Sequence, residues 1–254
     1  MYIKKVRYRT EYGESIYFGS DRGFYCESID TTGTAARISS ETIIGADGRI
    51  TTGANLDGKT IPCSFAFYDE FGSALLRDKI VRMFSPLVNA DLEVTGQNGT
   101  YVLSGAPDAV PSVKREPDNP DIWRWSINFR SDSAYWRRLP EKNIEITGTG
   151  QIITMTNTTG ILLPMIIELY DTAYMIRNDT TGIQFTAQTD EGEVTIINTD
   201  NGKIVDQNGN NVNYRVSGDV FNFNLIPGNN RIIVSGSVGG RARLRWYELV
   251  NGVI

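Results

Sequence analysis

Thirty carboxylates and not one histidine set the limits on what chemistry this chain can do. Without an imidazole there is no Ser-His-Asp or Cys-His device. A zinc site would be left with Cys26 and Cys63, which are far apart and outside any Cys-x-x-Cys spacing; both are expected to be buried thiols packing as small hydrophobes. Two carboxylates roughly 5–10 Å apart suffice for a glycosidase, and Asp69 with Glu70, or Asp190 and Glu191 with Glu193, supply the residue types. These acids sit beside turns or strand ends, where acidic side chains are ordinarily solvated. Asp206, Asn208 and Asn210 alternate like the oxygen ligands of a calcium loop. The sixth position is Asn211 where glycine is needed, and the twelfth is Ser217 where an acid is needed, so the stretch is expected to be a polar hairpin tip. No glycine-rich phosphate loop or dinucleotide fingerprint is present. The expectation is a protein with no catalytic residues, no cofactor and no metal.

The remaining candidates are aromatic and basic. Trp123, Trp125, Ile127 and Phe129 share one face of an alternating stretch. A wholly apolar face of this kind is a core face before it is a sugar-stacking platform. Arg124, Arg130, Arg137, Arg138, Arg241, Arg243 and Arg245 are expected on solvated strand faces or turns, some of them meeting a neighbouring subunit, since arginine is enriched at interfaces. A net charge of -5 argues against a protein that grips nucleic acid; an acidic wall would instead let DNA pass without sticking. The longest apolar run, Ile161 to Ile167, contains Pro164 and falls far short of the ~20 residues that span a bilayer, and the basic start of the chain lacks the apolar stretch of a signal peptide.

The elements that must position these residues are mostly strands. Residues 2–9, 15–18 and 24–29 read as strands separated by turn formers. Residues 31–59 are rich in Thr, Gly, Asp and Asn, with Ile43, Ile44, Ile50 and Leu56 as isolated apolar points; they read as an extended loop or hairpin arm. Ile61, Cys63, Phe65 and Phe67 then alternate over 60–68. Residues 72–84 carry Leu76, Ile80, Met83 and Phe84 at helical spacing, with Ser73 as a plausible N-cap and Pro86 beyond the end. Strands over 91–95 and 100–104 join through Asn98 and Gly99, and Trp136 to Pro140 closes the half. Past a boundary near 140 the chain turns to Ile, Thr, Asn and Gly. Strands are expected at 144–147, 152–156, 165–169, 183–188, 193–198, 203–205, 212–216, 221–225, 231–235 and 242–249, the spacing of a sandwich.

This order resembles the distal tail proteins of siphophages that infect Gram-positive bacteria. The matching pieces are the glycine-rich segment from Ile43 to Gly58, the strand Ile61 to Tyr68 running into the helix, the Trp123 to Phe129 strand with its Trp136 to Pro140 exit, and the Leu225, Gly228, Asn229 signature leading into Arg231 to Val234. The resemblance implies a mainly β protein: an N-terminal β domain over 1–140 with one α-helix and a projecting arm over about 31–59, then a galectin-like β-sandwich over 141–254. It implies a structural virion protein at the phage tail tip, made in the bacterial cytoplasm. Six copies would form a ring between the tail tube protein and the tail-tip hub protein, with a lumen for DNA that makes no sequence-specific contact, no membrane contact, and receptor-binding proteins at the periphery. Ile43, Ile44, Ile50 and Leu56 would then be subunit-interface residues of the arm. The alternative is a carbohydrate-binding β-sandwich adhesin, which requires exposed aromatics; Tyr170, Tyr174 and Tyr247 are the ones expected to serve. A tail-associated hydrolase ranks third.

Overall fold

The computed structural model describes residues 5–19, 23–32, 36–42, 49–69, 74–148, 150–170, 173–236 and 240–253, with backbone alone over 36–42, 49–55 and at 173. Two compact units emerge, Met1–Arg138 with Val250–Ile254, and Leu139–Leu249.

The first unit holds β1 (Lys5–Thr10), β2 (Ser15–Phe18), β3 (Phe24–Ile29), β4 (Ala36–Thr42), β5 (Arg49–Leu56), β6 (Lys59–Tyr68), α1 (Ala74–Met83), β7 (Ala90–Thr95), β8 (Thr100–Pro107), β9 (Lys114–Arg115), β10 (Ile122–Ser131) and the start of β11 (Trp136–Thr147). Pairing is antiparallel and runs β2-β1-β7-β8-β10-β6-β3, with β9 on β10. Two-residue alternation decides which side chains are buried. Val6 and Tyr8, Leu92 and Val94, and Tyr101 and Leu103 come from one end of this series; Ile61, Phe65, Phe67, Trp125, Ile127 and Phe129 come from the other; all share one core. The two ends are joined by the short β8–β10 pairing at Phe129 with Pro107 and Arg130 with Ala106, and by the isolated Gly19–Phe24 bridge between the end of β2 and β3.

The expected helix is present as Ala74–Met83, the one α-helix among the described residues; the proposed cap Ser73 lies outside them. A ten-residue helix is marginal alone. It is held by its stripe: Ile80, Met83 and the following Phe84 are fully buried, and Phe84 stacks on Tyr8 with ring centroids 4.0 Å apart. Trp136 does not close a strand. It opens β11, which continues through Pro140, so that the expected exit and the expected strand at 144–147 are one element.

The second unit holds the rest of β11, then β12 (Gln151–Asn157), β13 (Met165–Tyr170), β14 (Ala173–Asn178), β15 (Ile183–Gln188), β16 (Val194–Asn198), β17 (Lys203–Asp206), β18 (Val216–Gly218), β19 (Gly228–Gly236) and β20 (Arg241–Val250). One sheet runs β12-β19-β14-β15-β18, the other β17-β16-β13-β20 and on to β11. Met155, Tyr174, Ile176, Phe185, Ile232 and Val234 from the first meet Met165, Ile167, Leu169, Ile197 and Leu244 from the second in one core. This is a β-sandwich. Two expected strands are corrected. Residues 213–215 form a 3-10 turn before the short β18. Residues 221–225 make only the isolated Leu225–Leu163 bridge, because Asp219 accepts from the backbone and side chain of Asn222 and draws the chain into a turn. β14 was not foreseen.

Buried asparagines fasten the ends of these strands. Asn230 is fully buried; its Oδ1 accepts from the Ile226 N–H at 2.9 Å, and its Nδ2 donates to the carbonyls of Ile226 at 2.7 Å and Gly228 at 3.1 Å. Asn178, also fully buried, donates to Asn230 Oδ1 and to the Asn224 carbonyl. Asn157 donates to the carbonyls of Ile161 and Leu225. Asn230→Ala leaves three backbone groups without partners, at about 1–3 kcal/mol each where they are buried. The expected loss is about 2–4 kcal/mol, read as a lower urea midpoint for the second unit; an unchanged midpoint would contradict the network's role.

Both cysteines are free thiols; Cys63 is buried and Cys26 partly so. Burial pushes the Cys26 thiol up to about 12, and pushes Cys63 up as well. A raised pKa leaves little thiolate at neutral pH. Alkylation of Cys26 in the native protein should therefore climb with pH with no plateau below about pH 10, while Cys63 reacts only on unfolding. Peptide mass spectrometry of iodoacetamide-labelled protein reads both, and rapid labelling of Cys63 in the folded state would refute the buried assignment.

Candidate functional site

The residues with chemical potential are engaged within their own units. Asp190 and Glu193 both accept from Nη2 of Arg215, Asp190 at 2.7 Å, so a guanidinium neutralises the pair that a glycosidase would need free. The Asp69 N–H donates to the Asp121 carbonyl, and Glu70 lies outside the described residues. Asp206 accepts from the side chain of Asn210 and the backbone of Asn208 and Asn210; the Asn210 amide is the largest cause holding its carboxyl below the ordinary value. It closes a hairpin tip. Among the described residues no group of three or more His, Cys, Asp or Glu side chains is arranged to hold a metal ion, and no helix is long and apolar enough to cross a membrane.

Trp125 is a core residue, and Trp123 stacks on Phe67 with the Arg115 guanidinium 4.8 Å from its ring. The arginines are largely paired within the chain: Arg124 with Glu27 and Glu116, Arg137 with Asp91, Arg138 with the Asn98 carbonyl, and Arg245 with Glu141 and Glu168. The aromatics expected for an adhesin are not presented. Tyr174 is 2% exposed, Tyr247 is half-buried, and Tyr170 is half-buried against Arg241. Among the described residues of the second unit the exposed rings are Tyr214 and Phe221, which sequence reasoning passed over.

What remains is the segment between β3 and β6. β4 and β5 pair antiparallel from Ala36 with Leu56 to Thr42 with Arg49, with a bulge between Ser39 and Ser40. Among the described residues neither strand pairs with any other. The eight residues of β5 extend ~26 Å. Leu56 ends β5 and is 41% exposed; Ile50 lies within β5; Ile43 and Ile44 lie outside the described residues.

The hairpin's root is built with more care than its length. Asp30 accepts from the Thr32 N–H at 2.9 Å and hydroxyl at 2.7 Å; the hydroxyl bond is the chief cause of its lowered pKa. Thr31 is buried and its hydroxyl donates to the Val253 carbonyl at 3.5 Å. On the return, Lys59 is buried opposite Ser131; burial pulls its ammonium below the ordinary value and Asp30 opposes that pull. A Cβ on Gly58 would lie 2.2 Å from the Ser131 carbonyl oxygen, so only glycine fits there. Beside this root, β3 ends the sheet, with β6 its only strand partner among the described residues.

No family model matches the chain, and no curated protein sequence matches it. Solved structures do. The Dit protein of phage SPP1, described as a paradigm of the hub adsorption apparatus in phages infecting Gram-positive bacteria, superposes with TM-score 0.65 over 96% of this chain and 99% of that one, at 12% identity. Chains of the phage P2 baseplate in its activated conformation with Ca and with Sr superpose with TM-scores 0.59 and 0.58 over 100% of both chains, at 11% identity. At such identity the likeness establishes a shared fold, and it spans both units.

The root geometry gives a local test. Gly58→Ala must displace the Ser131 backbone or the root itself, and should cost about 1–3 kcal/mol. Gly160, with nothing within 4 Å of a built Cβ, is the control. Thermal unfolding should show a lowered midpoint for Gly58→Ala alone, and hydrogen exchange should rise over residues 29–32 and 57–60; equal behaviour of the two variants would overturn the packed-root assignment.

Proposed function

We propose that this chain is a structural subunit of a phage tail tip, a distal tail protein rather than an enzyme. The observation that carries the proposal is the β4–β5 hairpin: a two-stranded ribbon with no third strand among the described residues, on a tightly packed root, in a chain that shares the fold of a phage hub protein over 96% of its length and of a phage baseplate chain over 100%. An isolated hairpin is marginal in water and gains order from a further strand or a packing surface. An open sheet edge has the complementary need. In a cyclic assembly each copy offers one patch and receives another, so the hairpin of one copy would lap onto the next, near its β3 edge, with Ile43, Ile44, Ile50 and Leu56 as contact residues.

In this reading six copies form the ring. The first unit, over about 1–140, lines a lumen that DNA crosses without sequence-specific contact, and the second, a galectin-like sandwich over 141–254, sits outside. The tail tube protein lies on one side and the tail-tip hub protein on the other, with receptor-binding proteins at the periphery. The acidic net charge suits a passage to which DNA does not adhere.

Native mass spectrometry and light scattering test the core of this. The full chain should form ring-sized or concentration-dependent oligomers. Replacing residues 33–56 by a short Gly-Ser turn, which spares the buried Thr31 and Lys59, should leave a folded monomer, and Leu56→Asp should weaken association at least tenfold, about 1.4 kcal/mol. Oligomers that survive removal of the hairpin would defeat the arm as the ring contact.

A further inference from the structure

The outer face of the sheet β12-β19-β14-β15-β18 carries a feature that the proposed ring contact at the hairpin does not involve. Ser235 is opposite Met175, Met175 opposite Thr186, and Thr186 opposite Ser217, so four side chains from four adjacent strands form one row across the sheet. The row floors an open cleft of about 570 Å³, with Gln188 at its rim and Tyr214 lining it. Tyr214 is 79% exposed, in a unit whose other tyrosines named above are half-buried or buried. It is also fixed in place. The next residue, Arg215, has a side chain only 7% exposed, is bound by Asp190 and Glu193, and its guanidinium carbon lies 5.7 Å from the Tyr214 ring centroid. A large exposed ring held on an anchored backbone is a platform.

We infer that this cleft binds an uncharged saccharide, with Tyr214 stacking on a sugar ring and the Thr186, Ser217, Ser235 and Gln188 side chains meeting its hydroxyls. Three interstrand steps make the row ~14 Å long, room for about two or three linked pyranose rings. Sugars present apolar C–H faces and polar rims together, which suits a tyrosine and a methionine set among hydroxyls and an amide. Charge selects the class. Among the described residues Arg215 is the one charged residue lining the cleft, and two carboxylates neutralise it, so no free cation there favours a phosphate polymer. Across β19, β14 and β15 the floor is a sheet face whose backbone groups are taken up in strand pairing, and the edge strand β18 is only three residues long, so an extended peptide finds little edge to join.

Saturation-transfer NMR on the full chain tests this with uncharged hexasaccharides of glucose, rhamnose and N-acetylglucosamine, and with glycerol-phosphate oligomers as the anionic comparison. At least one uncharged sugar should bind at about 1 mM or tighter. Tyr214→Ala should weaken it about tenfold with an unchanged melting temperature, and Tyr214→Phe, which keeps the ring, should retain most of the affinity. Three results would overturn the inference: no uncharged sugar bound at about 10 mM, equal binding by Tyr214→Ala, or binding of the anionic oligomer alone. The cleft lies wholly within the second unit, so the outcome is independent of whether the chain closes into a ring.

Discussion

A β-strand carries hydrogen-bonding groups along both edges, and a strand with one neighbour leaves one edge to water. The architecture of this protein can be read as a set of answers to that constraint. In the second unit two edges are short, β18 with three residues and β17 with four, while β12, with seven, pairs only with β19 among the described residues. In the first unit the pairing runs through seven strands and stops at β3, whose bulge between Cys26 and Ser28 interrupts the ladder. In β4 and β5, among the described residues, each strand pairs only with the other. The described residues at the ribbon's root are held in place, from the Asp30–Thr32 bonds to the glycine wedged on the Ser131 carbonyl.

The second unit solves a different problem, the ends of strands rather than their edges. Asn157, Asn178 and Asn230 turn their amides inward and bind carbonyls in the turns where strands begin and end. An amide side chain suits this because it donates and accepts at once. The Gly228, Asn229, Asn230 turn thus acquires a division of labour. Asn229 accepts from Thr156 at the surface, while Asn230 does the internal fastening.

How far the sequence disclosed this depended on whether a core wrote a pattern into it. Ile61 to Phe67 and Trp123 to Phe129 alternate because one face of each is sealed, and both strands lie where that alternation puts them. The helix was legible from Leu76, Ile80, Met83 and Phe84 for the same reason. β14 also alternates, with Tyr174 and Ile176 inward, but only Asp171 and Thr172 separate it from β13, a gap too short to mark one strand's end and another's start. The opposite error occurred at 221–225, where buried Phe223 and Leu225 imitate a strand inside a segment governed by Asp219 and Asn222. The hairpin was legible as an extended loop or hairpin arm but without strand bounds, since its residues carry no periodic apolar pattern. Tyr214 gave no signal at all, because an exposed ring beside a polar turn looks like any surface tyrosine until the strand register sets hydroxyls next to it.

The membership of the first unit has a temporal side. It takes in Met1–Arg138 and then, after the whole of the sandwich, Val250–Ile254, with Val253 buried in its core and its carbonyl receiving the Thr31 hydroxyl at the hairpin's root. Translation delivers those closing residues behind 111 others, Leu139–Leu249. A nascent chain can therefore complete its sandwich while the hairpin's footing still lacks its final piece. A chain stopped before Val253 lacks the carbonyl that receives the Thr31 hydroxyl, so its hairpin would stand on an incomplete footing.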